Sequence, residues 1–241
     1  MSLARPAAQR RRFVLEAAER ISPSVRHLVL STEDGAPFTY LPGQWLKLYL
    51  PGLERDYSIA SAPSASRPGR VELIVTQVEN GPGSTELHRL PIGAAIEALG
   101  PNGLFVREEA ERSQPALYVA TGTGLAPLRA MIEDALARGE TAPRTLLFGA
   151  RTEADLLFRT ELEALAARGQ LRYEPTLSRA GESWPGRRGL HQFAKARHLL
   201  ALPFGLFLLS TEALAQSRAG AGGVLAGEEE DGFLLPVVCG A

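Results

Sequence analysis

The chain has 241 residues, 45% apolar and 22% charged, with a net charge of −1, values ordinary for a soluble globular protein of one or two domains. A balance so near neutral offers no general field for nucleic acid or an anionic membrane, and a single cysteine, Cys239, is too few for an internal disulfide framework or for a cluster held by about four thiolates. The basic N-terminus (Arg5, Arg10, Arg11, Arg12) has no apolar run behind it as a signal peptide would, and the longest apolar run, Leu199–Leu209, is interrupted by Pro203 and Gly205 and falls short of the ~20 residues of a membrane span, so a cytoplasmic protein is expected.

From Phe13 to Arg107, short apolar runs alternate with turn signals. Arg12–Leu15, Val25–Leu30, Gln44–Leu50, Tyr57–Ala60 and Val71–Val78 each read as a strand. Glu33-Asp34-Gly35, Pro42-Gly43, Pro51-Gly52, Arg67-Pro68-Gly69 and Gly81-Pro82-Gly83 punctuate them. That pattern predicts an antiparallel barrel or sandwich, with one short helix over Ser84–Leu90. After the polar stretch Glu108–Gln114 the texture changes. Ala116–Ala120, Arg144–Ala150 and Leu171–Leu177 read as strands, and Leu128–Arg138 and Ala154–Arg168 as the helices between them. Strands alternating with helices predict βαβ units on a parallel sheet. The expected organisation is a barrel domain over 9–108 and an α/β domain over 114–241.

Three segments carry candidate chemistry. In Arg55-Asp56-Tyr57-Ser58, Arg55 and Tyr57 are two apart and share a strand face. An Arg can clamp a phosphate, a Tyr can stack on a flat ring and Ser58 can present a hydroxyl; a strand with an exposed Arg and a half-buried Tyr accounts for the same residues. Gly81-Pro82-Gly83-Ser84-Thr85 precedes the short helix, where Ser84 or Thr85 can cap it or the same geometry can take an anion. Thr121-Gly122-Thr123-Gly124-Leu125-Ala126-Pro127 joins a strand to a helix. Glycines there let the backbone approach a phosphate held by the helix N-terminus, and Pro127 suits a first turn. A plain glycine-containing turn is the competing reading. The histidines, His27, His88, His191 and His198, are scattered without metal-ligand spacing, and no serine-hydrolase elbow is present.

In this order and spacing the three segments resemble the ferredoxin–NADP reductase superfamily, from about Phe13 to Gly189. The resemblance implies a six-stranded antiparallel barrel holding FAD and a five-stranded parallel sheet holding NADPH or NADH. It implies that Arg55 binds the flavin phosphate and that Tyr57 stacks on the flavin ring. Ser58 would approach the flavin N5, making Tyr57 and Ser58 the catalytic pair. It further implies that Gly83, Ser84 and Thr85 bind the pyrophosphate and that Val75 and Thr76 line the flavin. Thr121, Gly122, Thr123, Gly124 and Pro127 would take the nicotinamide nucleotide. Arg151, Ser178, Arg179 and Arg187 resemble positions that hold the 2′-phosphate, which favours NADPH.

The implied activity is electron transfer from NADPH through FAD to a separate acceptor: ferredoxin, flavodoxin or free flavin. Alternatives are an electron-transfer subunit of a larger complex and a truncated flavin-binding relative without turnover. After Gly189 the resemblance is not plain. The one Cys-Gly, Cys239-Gly240, comes later than the family spacing places it. Residues 190–241 are therefore read as divergent, either through an insertion followed by truncation or, as the abrupt change favours, through a segment unrelated to the family such as a shifted frame would produce. On that reading they are expected to pack poorly.

Overall fold

The computed structural model describes residues 4–189 and 206–209, which fall into two compact units. The first comprises residues 4–112 with Leu125–Glu140, and the second Ser113–Gly124 with 141–189 and 206–209.

The first unit is built on six strands: β1 (Gln9–Arg20), β2 (Val25–Thr32), β3 (Trp45–Leu50), β4 (Leu53–Ser58), β5 (Arg70–Thr76) and β6 (Ala95–Asn102). Every pairing is antiparallel, in the order β4-β3-β6-β1-β2-β5. Side chains alternate between faces along a strand. In β3, Leu46, Leu48 and Leu50 are buried while Trp45, Lys47 and Tyr49 are only partly covered. Phe13, Leu15, Leu28, Leu73 and Val75 meet them in one core, with Phe13 and Phe38 edge to face at 5.3 Å between centroids. The two edge strands converge just past β4. Ile59 bridges Leu73, and the Ala60 N–H donates to the Glu72 carbonyl at 2.7 Å, so the sheet curls onto itself.

Strand β6 is not foreseen in the sequence reading of separate apolar runs. It lies between β3 and β1, and its inward positions include Ala98 and Gly100 beside Ile96. A side chain at Gly100 would meet Leu46 Cδ2 at 2.5 Å and the Trp45 carbonyl at 3.1 Å. Small residues fit this crowded place and erase the apolar signal.

Helix α1 (Pro82–Arg89) follows β5, and helix α2 (Leu125–Ala137) also belongs to the first unit. A buried charge cluster secures the C-terminal end of α2. Arg112 Nη1 pairs with Asp134 at 2.9 Å and Glu140 at 2.8 Å, while Arg107 Nη1 reaches Glu140 at 2.9 Å. All four side chains are about nine-tenths buried, so their mutual pairing is what makes the burial tolerable.

The second unit is a parallel sheet of β7 (Ala116–Thr121), β8 (Arg144–Ala150), β9 (Arg172–Leu177), β10 (Arg187–Arg188) and β11 (Leu206–Leu209), in the order β10-β9-β8-β7-β11. All six residues of β7 are buried, as befits a central parallel strand covered on both faces. The expected two-part architecture, an antiparallel sheet followed by a parallel one, is present. The helix expected over Ala154–Arg168 is interrupted. Residues Glu153–Asp155 form a 3-10 turn and α3 spans Arg159–Ala167. Between them Leu156 and Leu157 are both buried. Phe158 then takes a left-handed conformation, φ 51° and ψ 30°, to restart the chain as α3.

Among the described residues no helix is long and apolar enough to cross a membrane. Apart from 206–209, the sequence expectations for residues 190–241, Cys239-Gly240 included, lie outside the described residues.

Candidate functional site

In the first unit the Arg55–Ser58 segment lies within β4, an edge strand. Arg55 stands opposite Leu48, Tyr57 opposite Leu46 and Ser58 opposite Trp45. Arg55 is exposed and donates to the carbonyl of its neighbour Glu54 at 2.7 Å. No carboxylate among the described residues pairs with it. Tyr57 is half-buried, packed against the core edge. Burial raises its phenol above the ordinary value, and the Arg55 charge opposes that rise. The hydroxyls of Tyr57 and Ser58 have no partner among the described residues, so each can serve a bound molecule.

Arg55 meets α1 directly. A side chain at Gly83 would lie 2.9 Å from Arg55 Cγ and 3.2 Å from Leu53 Cδ1, so only glycine lets the start of α1 approach this close. The helix begins at N-cap Gly81 with Pro82 first. It has no side-chain cap and no acidic residue in its first turn. The expectation that Ser84 or Thr85 caps it is therefore corrected. Ser84 Oγ accepts from the Val78 N–H at 3.0 Å and donates to the Gly81 carbonyl at 3.1 Å, knitting the preceding turn. Thr85 Oγ1 accepts from Gln77 at 3.2 Å. The helix start thus keeps its positive end open. A guanidinium without a carboxylate beside an uncapped helix N-terminus is an anion cradle, and it lies next to an exposed aromatic edge.

Val75 is buried, and its carbonyl accepts from His88 Nε2 at 2.8 Å, which ties α1 to β5; Thr76 is half-buried at the strand end. Thus Arg55, Gly83 and Ser84 are brought together, with Tyr57 and Ser58 further along the same strand.

In the second unit, β7 ends at Thr121 and passes through a 3-10 turn, Gly122–Gly124, directly into α2. Gly122 has φ 51°, a conformation costly for any other residue but glycine. Thr121 Oγ1 is buried without a partner among the described residues, an unmet hydrogen bond at the lip of the turn. Thr123 follows in the turn, and Pro127 sits in the first turn of α2, where its missing N–H is harmless.

At the C-terminal ends of β8 and β9 two backbone hydrogen bonds join the predicted segments. Ser178 N–H donates to the Ala150 carbonyl at 3.0 Å and Arg179 N–H to the Arg151 carbonyl at 2.8 Å. Ligands of open parallel sheets bind outside such strand ends. Arg151 makes an exposed pair with Asp155 at 3.2 Å. Arg179 has no side-chain partner among the described residues. Arg187 is held by Glu174 at 3.0 Å. Its neighbour Arg188 donates to the carbonyls of Gly181, Glu182 and Trp184 and so shapes the loop before it.

The sequence reading missed a second polar cluster in the first unit. Arg129 of α2 contacts Ala60, Glu72 and Glu133, and Glu72 also pairs with His27 at 3.0 Å and Arg70 at 2.9 Å. Burial pushes the Glu72 carboxyl up. The His27 hydrogen bond and the charges of Arg129, His27 and Arg70 outweigh it and hold the group below its ordinary value. These residues come from three separate elements, and no spacing signals their meeting.

Comparison with known proteins identifies the two regions. Residues 12–106 match the family described as an oxidoreductase FAD-binding domain, and 118–213 match an oxidoreductase NAD-binding domain. Ferredoxin–NADP reductase B of Sorangium cellulosum (strain So ce56) is 50% identical over 184 residues, 74% of each chain. The reductase component DmpP of phenol 2-monooxygenase from Pseudomonas sp. (strain CF600) is 36% identical over 77% of this chain; the chain spans 53% of that protein. The solved ferredoxin reductase in carbazole 1,9a-dioxygenase shares the fold, with a TM-score of 0.74 over 90% of this chain and 67% of that one, at 24% identity. The open cradle at Arg55 and Gly83 and the unmet Thr121 hydroxyl at the Gly122 turn fit the phosphates and nucleotides these families take, and the chain belongs to the ferredoxin–NADP reductase superfamily as a flavin-dependent oxidoreductase using FAD and NAD(P)H.

Proposed function

We propose that this protein takes electrons from NADPH through FAD and passes them to a redox protein outside these 241 residues, a ferredoxin or a flavodoxin, with free flavin as a substitute acceptor. The observation that carries the reading is the Arg55 guanidinium, free of any carboxylate among the described residues and set against the start of α1 by Gly83. On this reading Arg55 and the first-turn N–H groups of Gly83 and Ser84 hold the flavin phosphates. Tyr57 covers the ring with its apolar face, and Ser58 offers its hydroxyl to the ring edge. Val75, Thr76 and Thr85 line the same side. Bound FAD supplies hydride acceptance and one-electron release, which side chains cannot provide; the protein's part is to bind, orient and exclude water.

Thr121, Gly122, Thr123, Gly124 and Pro127 hold the nicotinamide nucleotide, with Thr121 Oγ1 gaining the partner it lacks. Ser178 and Arg179, helped by Arg151 once it leaves Asp155, meet the 2′-phosphate, a dianion suited to a guanidinium fork. Arg187 keeps Glu174 in place from the rim. A ferredoxin acceptor is supported by the name of the Sorangium relative, and an oxygenase partner by the names of relatives of which this chain covers only about half, such as the phenol 2-monooxygenase component.

Anaerobic titration of the purified yellow protein with NADPH and with NADH tests this. Bleaching of the flavin band by NADPH at lower concentration than NADH is the expected result. A protein that cannot be loaded with FAD, or a loaded one that neither nucleotide bleaches, would overturn it. Reduction of added ferredoxin, flavodoxin or free flavin then ranks the acceptors.

A further inference from the structure

We infer that Arg129 is a positioning residue for the flavin-facing strand, acting from α2 on the backbone just beyond Ser58. Its guanidinium is nine-tenths buried. Nη1 donates to the Ala60 carbonyl at 2.7 Å and to Glu72 Oε2 at 3.1 Å. Nη2 pairs with Glu133 Oε1 at 2.7 Å, and Glu133 Oε2 accepts the Ala62 N–H at 2.8 Å. Two α2 side chains thus take the carbonyl of residue 60 and the N–H of residue 62. These groups lie two and four residues past Ser58, beyond the end of β4, where Ile59 bridges Leu73 and the chain bends at Ser61.

The same stretch is fixed from the barrel side. The Ile59 N–H donates to the Gln44 carbonyl at 3.0 Å, the Ala60 N–H to the Glu72 carbonyl at 2.7 Å, and Tyr40 Oη to the Ser61 carbonyl at 3.1 Å. Glu72 is shared, holding His27 and Arg70 as well as Arg129. Retaining α2 does not require this contact, because Arg112 and Arg107 already anchor its other end through Asp134 and Glu140. What Arg129 adds is a defined register for residues 58–62. The inference rests on the reading that Arg55–Ser58 meets the flavin, since only then does that register matter to chemistry. Small displacements of a reacting group cost rate more than they cost binding.

The test compares the FAD-loaded protein with Arg129→Ala, Arg129→Lys and Glu133→Gln. For each, FAD per chain, the NADPH-driven flavin reduction rate at saturation and the NADPH concentration at half rate are measured by anaerobic stopped flow. Arg129→Ala is expected to keep its FAD and its half-rate concentration while the saturating rate falls about tenfold or more. Lysine reaches one acceptor group but cannot span the fork, so Arg129→Lys is expected to recover part of the rate. Glu133→Gln keeps an acceptor for Ala62 and is expected to lose less than Arg129→Ala.

A wild-type saturating rate in Arg129→Ala, with only a lowered melting temperature, overturns the inference. If Arg129→Ala does not fold, wild-type rates in both other variants overturn it and graded losses support it. Arg55→Ala measured alongside separates the two readings. Undiminished FAD binding in Arg55→Ala defeats the flavin reading itself. Lost FAD binding there, with a fast Arg129→Ala, defeats the positioning role alone.

Discussion

Arginine is used differently in the two units, and the contrast says which of them can meet a ligand. In the first unit Arg107, Arg112 and Arg129 are buried and engaged by Asp134, Glu140, Glu72 and Glu133, while Arg55 faces outward beside α1 without a carboxylate. In the second, Arg151, Arg159, Arg172 and Arg187 make exposed or half-exposed surface pairs, and Arg179 makes none among the described residues. Buried pairs are strongly coupled and unavailable; surface pairs are worth about 0–1 kcal/mol and exchange readily for a better anion. A guanidinium's availability thus depends on what surrounds it, and neither Arg55 nor Arg179 has a carboxylate partner among the described residues.

The largest effect should come from breaking the buried cluster. Arg112→Ala leaves Asp134 and Glu140 buried with one cation fewer, which costs about 3–5 kcal/mol out of a total near 5–15. Chemical denaturation should show it as a lower midpoint with little change in slope. A loss below about 1 kcal/mol would place this cluster with the surface pairs. Next comes Arg55→Ala. A charge-assisted hydrogen bond is worth about 1.5–3 kcal/mol, so FAD affinity should fall roughly ten- to hundredfold while the fold survives. Flavin retained per chain on gel filtration checks this.

The third effect is smaller and selective. Arg179→Ala should raise the NADPH concentration for half-maximal rate about tenfold, one interaction's worth, and leave NADH unaffected because NADH carries no 2′-phosphate. Equal losses with both nucleotides would move Arg179 from specificity to general nucleotide binding.

Much of this was legible in the chain. Alternation in Trp45–Leu50 and the strand-helix rhythm after Ala116 are periodic signals that burial enforces, so both halves could be anticipated. Arg55, Tyr57 and Ser58 are close in sequence, and Gly83 follows a visible turn, so the segments that meet where Gly83 approaches Arg55 could be picked out too. Strand β6 could not, because the close approach of β3 selects Ala98 and Gly100, whose side chains carry no apolar pattern. Nor could the Arg129 cluster. His27, Glu72 and Arg129 come from β2, β5 and α2, and pairing across elements leaves no trace in local spacing. The same blindness applied to charge. Arg179 and Arg187 look alike in the sequence, and only the fold puts Glu174 beside one of them.

That last distinction yields the smallest effect and the sharpest check on the contrast. Burial raises the Glu174 carboxyl, but hydrogen bonds from Arg172 and Arg187 outweigh it and hold the group below its ordinary value. A carboxyl lowered in the folded state contributes stability above its unfolded pKa of about 4.3, and that contribution is lost as pH falls through the lower folded value. Arg187→Ala removes one of the two donors, so Glu174 should move back toward its ordinary value. At pH 7 the variant should melt slightly below the wild type, by no more than the ~1 kcal/mol of a surface pair. As the pH falls through the carboxylate range the two melting temperatures should converge, because Glu174 becomes protonated in both proteins. Its preference for NADPH over NADH should stay that of the wild type, since on the proposed reading Ser178, Arg179 and Arg151, not Arg187, meet the 2′-phosphate. A gap that persists in acid would mean that Arg187 stabilises the sheet edge by packing rather than by charge. A lost NADPH preference would mean that Glu174 releases Arg187 to the phosphate, and the contrast between Arg179 and Arg187 would dissolve.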